Sequence, residues 1–397
     1  MWRKIVYSST RGHSFDEASQ HLLVLAEIEV SPQRVHRASL KIGQERLAER
    51  EQEIVAFQAL TLPEQQASPL VTPPQVACVE MDGGRLQMRE RLKPDEENPE
   101  EERDGLWREL KGGLLLSMES EVSTEDPCPL LPATFVDPAR MSEIARVIKG
   151  VSGESPSVTT ADQPPEKSAA DRPGRPKPLV KSVVATCAAV GFFGPLLAAA
   201  AWARGFAGAA RKAFVADGLA VNWGVWRKYF SHYTPILDFV HALCYVYAAA
   251  MAARTTEAGW AIYRQWAQLV WSGQVDLVIA ALELRQQEVG LPAKDDAKTL
   301  PRKVIADTLS YLRNQRPRMK YDEYRKQGLP ITSSNMESTI KQLHRRMKGT
   351  EKFWAKGAEP MLVLVADQLC ETQAVDEFWR RRPERLNGQR PHQTAAA

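Results

Sequence analysis

The sequence predicts an α/β protein: a mixed sheet, an N-terminal helical segment before it and a long helical region after it. Three observations predict it. Short apolar runs at Val76–Met81, Leu106–Glu119, Val183–Thr186 and Ala213–Ala216 have strand length and end in Gly, Asp or polar residues. A helix-length, Ala-rich run, Gly194–Phe206, separates the last two. After Asp217 almost all of the chain has helical composition, with Pro235–Leu284 rich in Ala, Leu and aromatic residues.

The elements follow in order. Ser14-x-x-Glu17 is a capping-box signature and opens a helix to about Glu27. Ser31-Pro32 reads as N-cap and first turn of a second helix. The two helices of the segment 1–57 are either a plain pair or a helix-turn-helix that enters a DNA groove. A Pro- and Gln-rich linker, Gln58–Gln75, leads to the first strand. Asp82-Gly83-Gly84 then suggests a hairpin or a tight bend before Arg85–Arg89. The acidic stretch Glu90–Asp104 reads as a loop, Asp137–Gly150 as a short helix and Val151–Pro178 as a flexible insertion. A last strong helix starts near Ser334, and a basic, disordered tail is expected over 379–397.

Composition excludes several classes. A charged fraction of 25% and a hydrophobic fraction of 44% are those of a folded chain. The net charge of +3 is small, but Leu300–Lys356 holds 14 Lys+Arg against 5 Asp+Glu. That stretch suits a polyanion such as DNA or a solvated helical face. The five cysteines are scattered without a CxxC pair, which indicates neither a zinc knuckle nor a disulfide framework and fits a reducing cytoplasm. Ser182–Ala203 is uncharged and long enough to cross a bilayer, yet Gly191, Gly194 and Pro195 split it into a strand and a helix. No membrane association is expected.

Asp82 and Asp217 each follow an apolar strand and precede glycine, which would let a ligand approach closely. Each Asp-Gly is also an ordinary turn pair. Glu337 is either a capping-box residue paired with Ser334 or a carboxylate on a functional helix face. On that helix Glu337, Lys341, His344 and Lys348 form a polar stripe beside Met336, Ile340, Leu343 and Met347. A metal on Glu337 and phosphates on Lys341, His344, Arg345, Arg346, Lys348 and Lys352 would suit it. Asp238 and His241 share one face of the next helix start, where a helix cap with a buried histidine is the bland alternative. Three carboxylates are what two-metal phosphodiester chemistry needs: hard oxygen ligands for two Mg²⁺ or Mn²⁺ ions.

Three blocks resemble one family. TSSNMESTIKQLHRRMKGTEKFW (332–354) is similar to the signature around the catalytic glutamate of ISKra-type insertion-sequence transposases. AFVADGLAVNWGVWRKYFSHYTPILDFVHALCYVYAAA (213–250) resembles its second-aspartate region. VEMDGGRLQMRE and LWRELKGGLLLSMES resemble its first-aspartate and third strands. The resemblance spans about Val76–Ala366, in the family's order. It implies a ribonuclease H-like core over 76–237 and 325–378, with Asp82, Asp217 and Glu337 as the metal-binding DDE triad. Relatives of the Mutator type imply an all-helical insertion, here 238–324, and an Asp-x-x-His pair that Asp238 and His241 match in a supporting role. Element-end and target DNA, a homo-oligomer on DNA and a cytoplasmic, nucleoid-associated location follow from it. The chain departs from the family in lacking a cysteine-rich N-terminal part, in Asn222 before Trp223, and in the loose Lys111-Gly112-Gly113. These departures leave open a catalytically inactive, truncated remnant that only binds element ends.

Overall fold

The computed structural model describes residues 1–69, 71–89, 106–150, 174–349, 352–353, 355–372 and 374–387. The acidic stretch at 90–104 and most of the expected insertion, 151–173, lie outside them. Five strands form one sheet: β1 (Val76–Gln87), β2 (Trp107–Glu119), β3 (Lys177–Thr186), β4 (Arg211–Ala216) and β5 (Thr234–Leu237), in the order β3-β2-β1-β4-β5. β1, β2 and β3 pair antiparallel, while β4 and β5 run parallel to β1. The α/β class and the mixed sheet are as the sequence predicts.

The expected bend at Asp82-Gly83-Gly84 does not occur. β1 runs straight through it, with Asp82 opposite Gly112 and Gly84 opposite Leu110. Ladder hydrogen bonds to a long antiparallel neighbour outweigh the local turn preference of Asp-Gly. β5 is the strand that sequence reasoning missed. It has four residues, one of them Pro235, which as a non-donor is tolerated at a sheet edge.

Helices cover both faces. At the N-terminus lie α1 (Trp2–Arg11), α2 (Phe15–Ala26), α3 (Pro32–Ala59) and the short α4 (Leu62–Gln66). α1 was not expected. Its buried side combines Ile5 and Val6 with Ser8, Ser9 and Thr10, which leaves little apolar pattern to read. Ser14 caps α2 by accepting from Glu17 N, and Glu17 returns to His13 N, one residue short of a full capping box. Between the strands come α5 (Pro138–Lys149), α6 (Val190–Ala203) and α7 (Ala220–Tyr229). The uncharged stretch 182–203 is thus the end of β3 followed by α6. No helix among the described residues is long and apolar enough to cross a membrane.

After β5 the chain forms α8 (Phe239–Met251), α9 (Thr256–Trp271), α10 (Val275–Val289), α11 (Pro301–Gln315) and α12 (Tyr321–Lys326). It returns to the sheet as α13 (Ser334–Met347) and α14 (Ala355–Leu369), and ends in α15 (Ala374–Asn387). The expected disordered tail is therefore helical as far as Asn387. Arg381 and Arg382 on α15 pair with Glu49 and Glu45 of α3, which anchors it. Two adjacent glycines show the layering. A side chain at Gly112 would meet Met336 and Ile340 of α13, and one at Gly113 would meet Leu197 and Phe193 of α6, on the opposite face. The looseness of Lys111-Gly112-Gly113 is what lets both helices approach.

Candidate active site

Sheet register brings the acidic residues of β1, β4 and β5 to one level. The last registered β1–β4 pair is Glu80 with Val215, so Asp82 and Asp217 each lie two residues further, at matching height. On the next strand Ala216 faces Leu237, and Asp238 N donates to Ala216 O at 2.8 Å. Asp217 and Asp238 therefore leave the ends of neighbouring parallel strands side by side. Ligands of α/β proteins sit at such carboxyl ends.

Asp217 is fixed tightly. Its Oδ1 accepts from Leu219 N at 3.0 Å and from Asn222 Nδ2 at 2.8 Å. Its carbonyl accepts from the Tyr311 hydroxyl at 2.8 Å, and Tyr311 stacks on Tyr245 with ring centroids 3.6 Å apart. Gly218 has φ of 97°, a backbone that L side chains rarely adopt, and Tyr311 packs against it. Asn222, shorter than the resemblance implies, is buried because its amide holds the carboxylate.

Glu337 lies in the first turn of α13, half-buried. The capping box does not form. The N-cap is Ser333, one residue before Ser334, and its hydroxyl donates to Asp238 Oδ2 at 2.6 Å. The Ser333 N–H donates to the same oxygen. A second carboxyl, Glu80, accepts from Met336 N at 3.0 Å. Asp238 and Glu80, 1% and 0% exposed, thus hold the start of the helix that carries Glu337. Further along α13, His344 lies on Gly84 of β1, where no β-carbon would fit. Glu80, Asp82 and Gly84 alternate onto the face of β1 that α13 covers. Sequence reasoning missed Glu80. It sits inside an apolar run, and its polar partner is 256 residues away.

The charges are coupled. Burial raises the Asp82 pKa, the Gly83 N–H opposes it, and the neighbouring Asp217 and Glu337 add to the rise while His241 opposes it, leaving it at about 6. Burial and Asp238 raise Glu337, against His241 and Lys341. Burial alone would depress His241, but the Asp238 carboxylate, with its Oδ1 at 3.2 Å from Nδ1, outweighs it. Asp217 and Asp82 add to the rise, and His241 is pushed up to about 9. Burial raises Glu80 to about 8. An imidazolium thus stands among three carboxylates from β1, β4 and α13. Among the described residues no three His, Cys, Asp or Glu side chains stand close enough together to ligate one ion. The chemistry of the donors fits a divalent cation all the same: they are hard oxygens, and their mutual repulsion is what such a charge relieves.

The basic residues divide. Lys341, Arg345, Lys348 and Lys352 are exposed. Arg346 is not available to DNA. It is 2% exposed, donates to Ser9 O at 2.7 Å and lies over the rings of Phe15 and Phe353. His344 is no phosphate-binding cation either, since burial, with Lys348 nearby, depresses its pKa to about 4. Much of the basic stretch is internally neutralised, with Arg302, Lys303, Arg313, Arg316 and Arg325 in ion pairs with Asp296, Asp307, Glu283, Asp276 and Asp126. All five cysteines are free.

No protein-family model matches the chain, and no curated protein matches it.

Proposed function

We propose that this chain is a DDE transposase that cleaves DNA at the end of an insertion sequence and transfers the strand to a target. The observation that carries it is the placement of the three carboxylates: Asp82 and Asp217 at matching height along β1 and the end of β4, and Glu337 in the first turn of α13, the helix that lies on β1 and β2. Supporting it, the sheet is mixed, as a ribonuclease H-like core requires, and a run of helices separates the second carboxylate from the third.

In this reading the three carboxylates would hold two Mg²⁺ or Mn²⁺ ions, which when bound stabilise the attacking and leaving oxygens of an in-line displacement at phosphorus. Asn222 and the Leu219 N–H keep Asp217 aimed. Glu80 and Asp238, gripping the start of α13, set the height of Glu337. His241 remains protonated and balances the excess negative charge while substrate phosphate arrives. Lys341, Arg345, Lys348 and Lys352 face solvent along and just beyond α13, where they would take backbone phosphates without reading sequence. Two DNA ends in one complex call for a homo-oligomer, working on the nucleoid.

The test is cleavage of labelled DNA carrying the gene's own flanking ends, with and without Mg²⁺ or Mn²⁺, by the wild type and Asp217→Ala. Metal-dependent cleavage is expected, lowered at least ~100-fold in the variant, since even partners of metal ligands are worth ~10–100-fold. Binding without cleavage in either metal overturns the enzyme in favour of the DNA-binding remnant. Cleavage without joining to target DNA overturns strand transfer in favour of a nuclease.

A further inference from the structure

Asp217 and Gly218 join β4 to α7, so their carbonyls belong to neither a sheet ladder nor a helix. Both find their donors on α11, in the helical region after β5. The Tyr311 hydroxyl donates to Asp217 O at 2.8 Å, and Gln315 Nε2 donates to Gly218 O at 3.0 Å. Among the described residues no backbone N–H reaches either carbonyl. Tyr311 and Gln315 are four residues apart, which puts them on one face of α11, a turn from each other. The helix lies directly against the turn: a β-carbon at Gly218 would stand 2.9 Å from the Tyr311 ring and hydroxyl.

Both side chains are themselves braced. The Tyr311 ring stacks on Tyr245 of α8 at 3.6 Å, and Lys149 of α5 lies 3.5 Å over the Tyr245 ring. Gln315 is buried, and its Oε1 accepts from Arg318 Nη1 at 3.0 Å, which commits its amide nitrogen to Gly218 O. Arg318 in turn lies 4.3 Å over the ring of Trp223 on α7. Trp223 follows Asn222, whose amide holds the Asp217 carboxylate. One helix end thus grips the backbone of Asp217 and, through Arg318, touches the helix that supplies its side-chain partner.

We infer that Tyr311 and Gln315 are positioning residues: by holding two consecutive carbonyls they fix where the Asp217 carboxylate stands, so that α11 completes the site. The inference rests on the reading of Asp217 as a metal ligand. Groups that orient a ligand set its affinity for the ion without touching the ion themselves. A bond that only satisfied a loop carbonyl would add to stability and leave that affinity alone, and the test reads this difference. The helical region after β5 then contributes to metal binding through two side chains, neither of which is a carboxylate.

Mn²⁺ binding to the full chain without DNA, followed by the electron paramagnetic resonance of the free ion, tests it. Tyr311→Phe removes one donor and keeps the ring stack, and Gln315→Met removes the other in a side chain of similar length. Tyr263→Phe is the control, since it loses a hydroxyl bond of the same kind, to Phe135 O at 2.8 Å, outside the Asp217 turn. The Mn²⁺ dissociation constant should rise roughly tenfold in the first two variants, the lower end for groups behind a metal ligand. In the control it should stay at the wild-type value while the melting temperature falls as in Tyr311→Phe. With DNA present, the metal concentration at half-maximal cleavage should rise in the first two variants and the half-saturating DNA concentration should not. Wild-type Mn²⁺ affinity in both variants, or an equal loss in the control, overturns the inference and leaves the transposase reading standing. No Mn²⁺ binding by the wild type overturns the metal site itself and the inference with it. Tyr311→Phe alone decides where Gln315→Met does not fold.

Discussion

His344 illustrates how a residue's surroundings decide its role. On the sequence it belongs to a basic stripe; in the fold it lies over Gly84 with its charged form disfavoured. Its folded pKa, about 4, is below the ordinary 6.5. Between those values the unfolded chain holds a proton that the folded chain does not. Stability is therefore full above about pH 6.5 and falls as the pH drops towards 4. With solvent screening the loss is of the order of 1 kcal/mol. Urea midpoints at pH 4.5 and 7 should differ less in His344→Gln than in the wild type, and an unchanged difference removes the histidine from the account. Asn222 gives a second prediction. Asn222→Ala should lower metal-dependent cleavage by ~10–100-fold while costing only about 1 kcal/mol of stability. Equal activity would mean that Asp217 needs no such partner. Asp82, Asp217 and Glu337 were legible as candidates because each stands at the edge of a local pattern: Asp82 and Asp217 after an apolar run and before glycine, Glu337 at a helix start. Asn222 and Glu80 were not, because a hydrogen-bond partner five or 256 residues away leaves no mark on local pattern.

Among the elements, α13 depends most on contacts made at a distance. Two buried carboxyls hold its first turn, so Glu80→Gln, which keeps an acceptor for Met336 N, should preserve both folding and the metal concentration at half-maximal cleavage. Glu80→Leu leaves Met336 N with only its bond to Ser333 O, so it should lose about 1 kcal/mol and should raise the half-maximal concentration. If Leu and Gln behave alike, the clamp has no part in placing Glu337. The crossing of α3 and α14 is just as tight. A β-carbon at Gly43 would stand 2.2 Å from the carbonyl oxygen of Pro360. Alanine favours a helix over glycine by about 1 kcal/mol, but backbone cannot yield as a side chain can, so Gly43→Ala should destabilise by about 1–3 kcal/mol. A higher melting temperature in that variant would contradict the close crossing. Long periodic elements such as α3 and α13 could be read from sequence. β5 could not, since four residues with a proline resemble a loop until β4 is there to pair with them.

At the scale of the whole molecule, one apolar cluster takes in residues of the N-terminal helices, the sheet and the helices after β5. Phe239 of α8 packs against Phe135, Trp271 and Tyr321, with ring centroids 5.1, 5.0 and 4.9 Å away, and Tyr321 donates to Leu237 O of β5. Through Tyr321 the helices after β5 are thus hydrogen-bonded to the sheet. Tryptophan fluorescence and far-ultraviolet circular dichroism should report one coincident thermal transition, and two separated transitions would show that those helices melt on their own. Sequence composition could mark that region as helical but could not show which faces it buries against the strands. The N-terminal helices close the other side: Ser9 accepts from Arg346, Arg46 and Arg50 pair with Asp367, and Arg3 pairs with Asp376. During synthesis, then, the first fifty residues leave the ribosome long before the partners that bury their charges. A nascent chain stopped before Met347 has its three candidate catalytic carboxylates already made, yet lacks α14 and α15, against which those early helices settle.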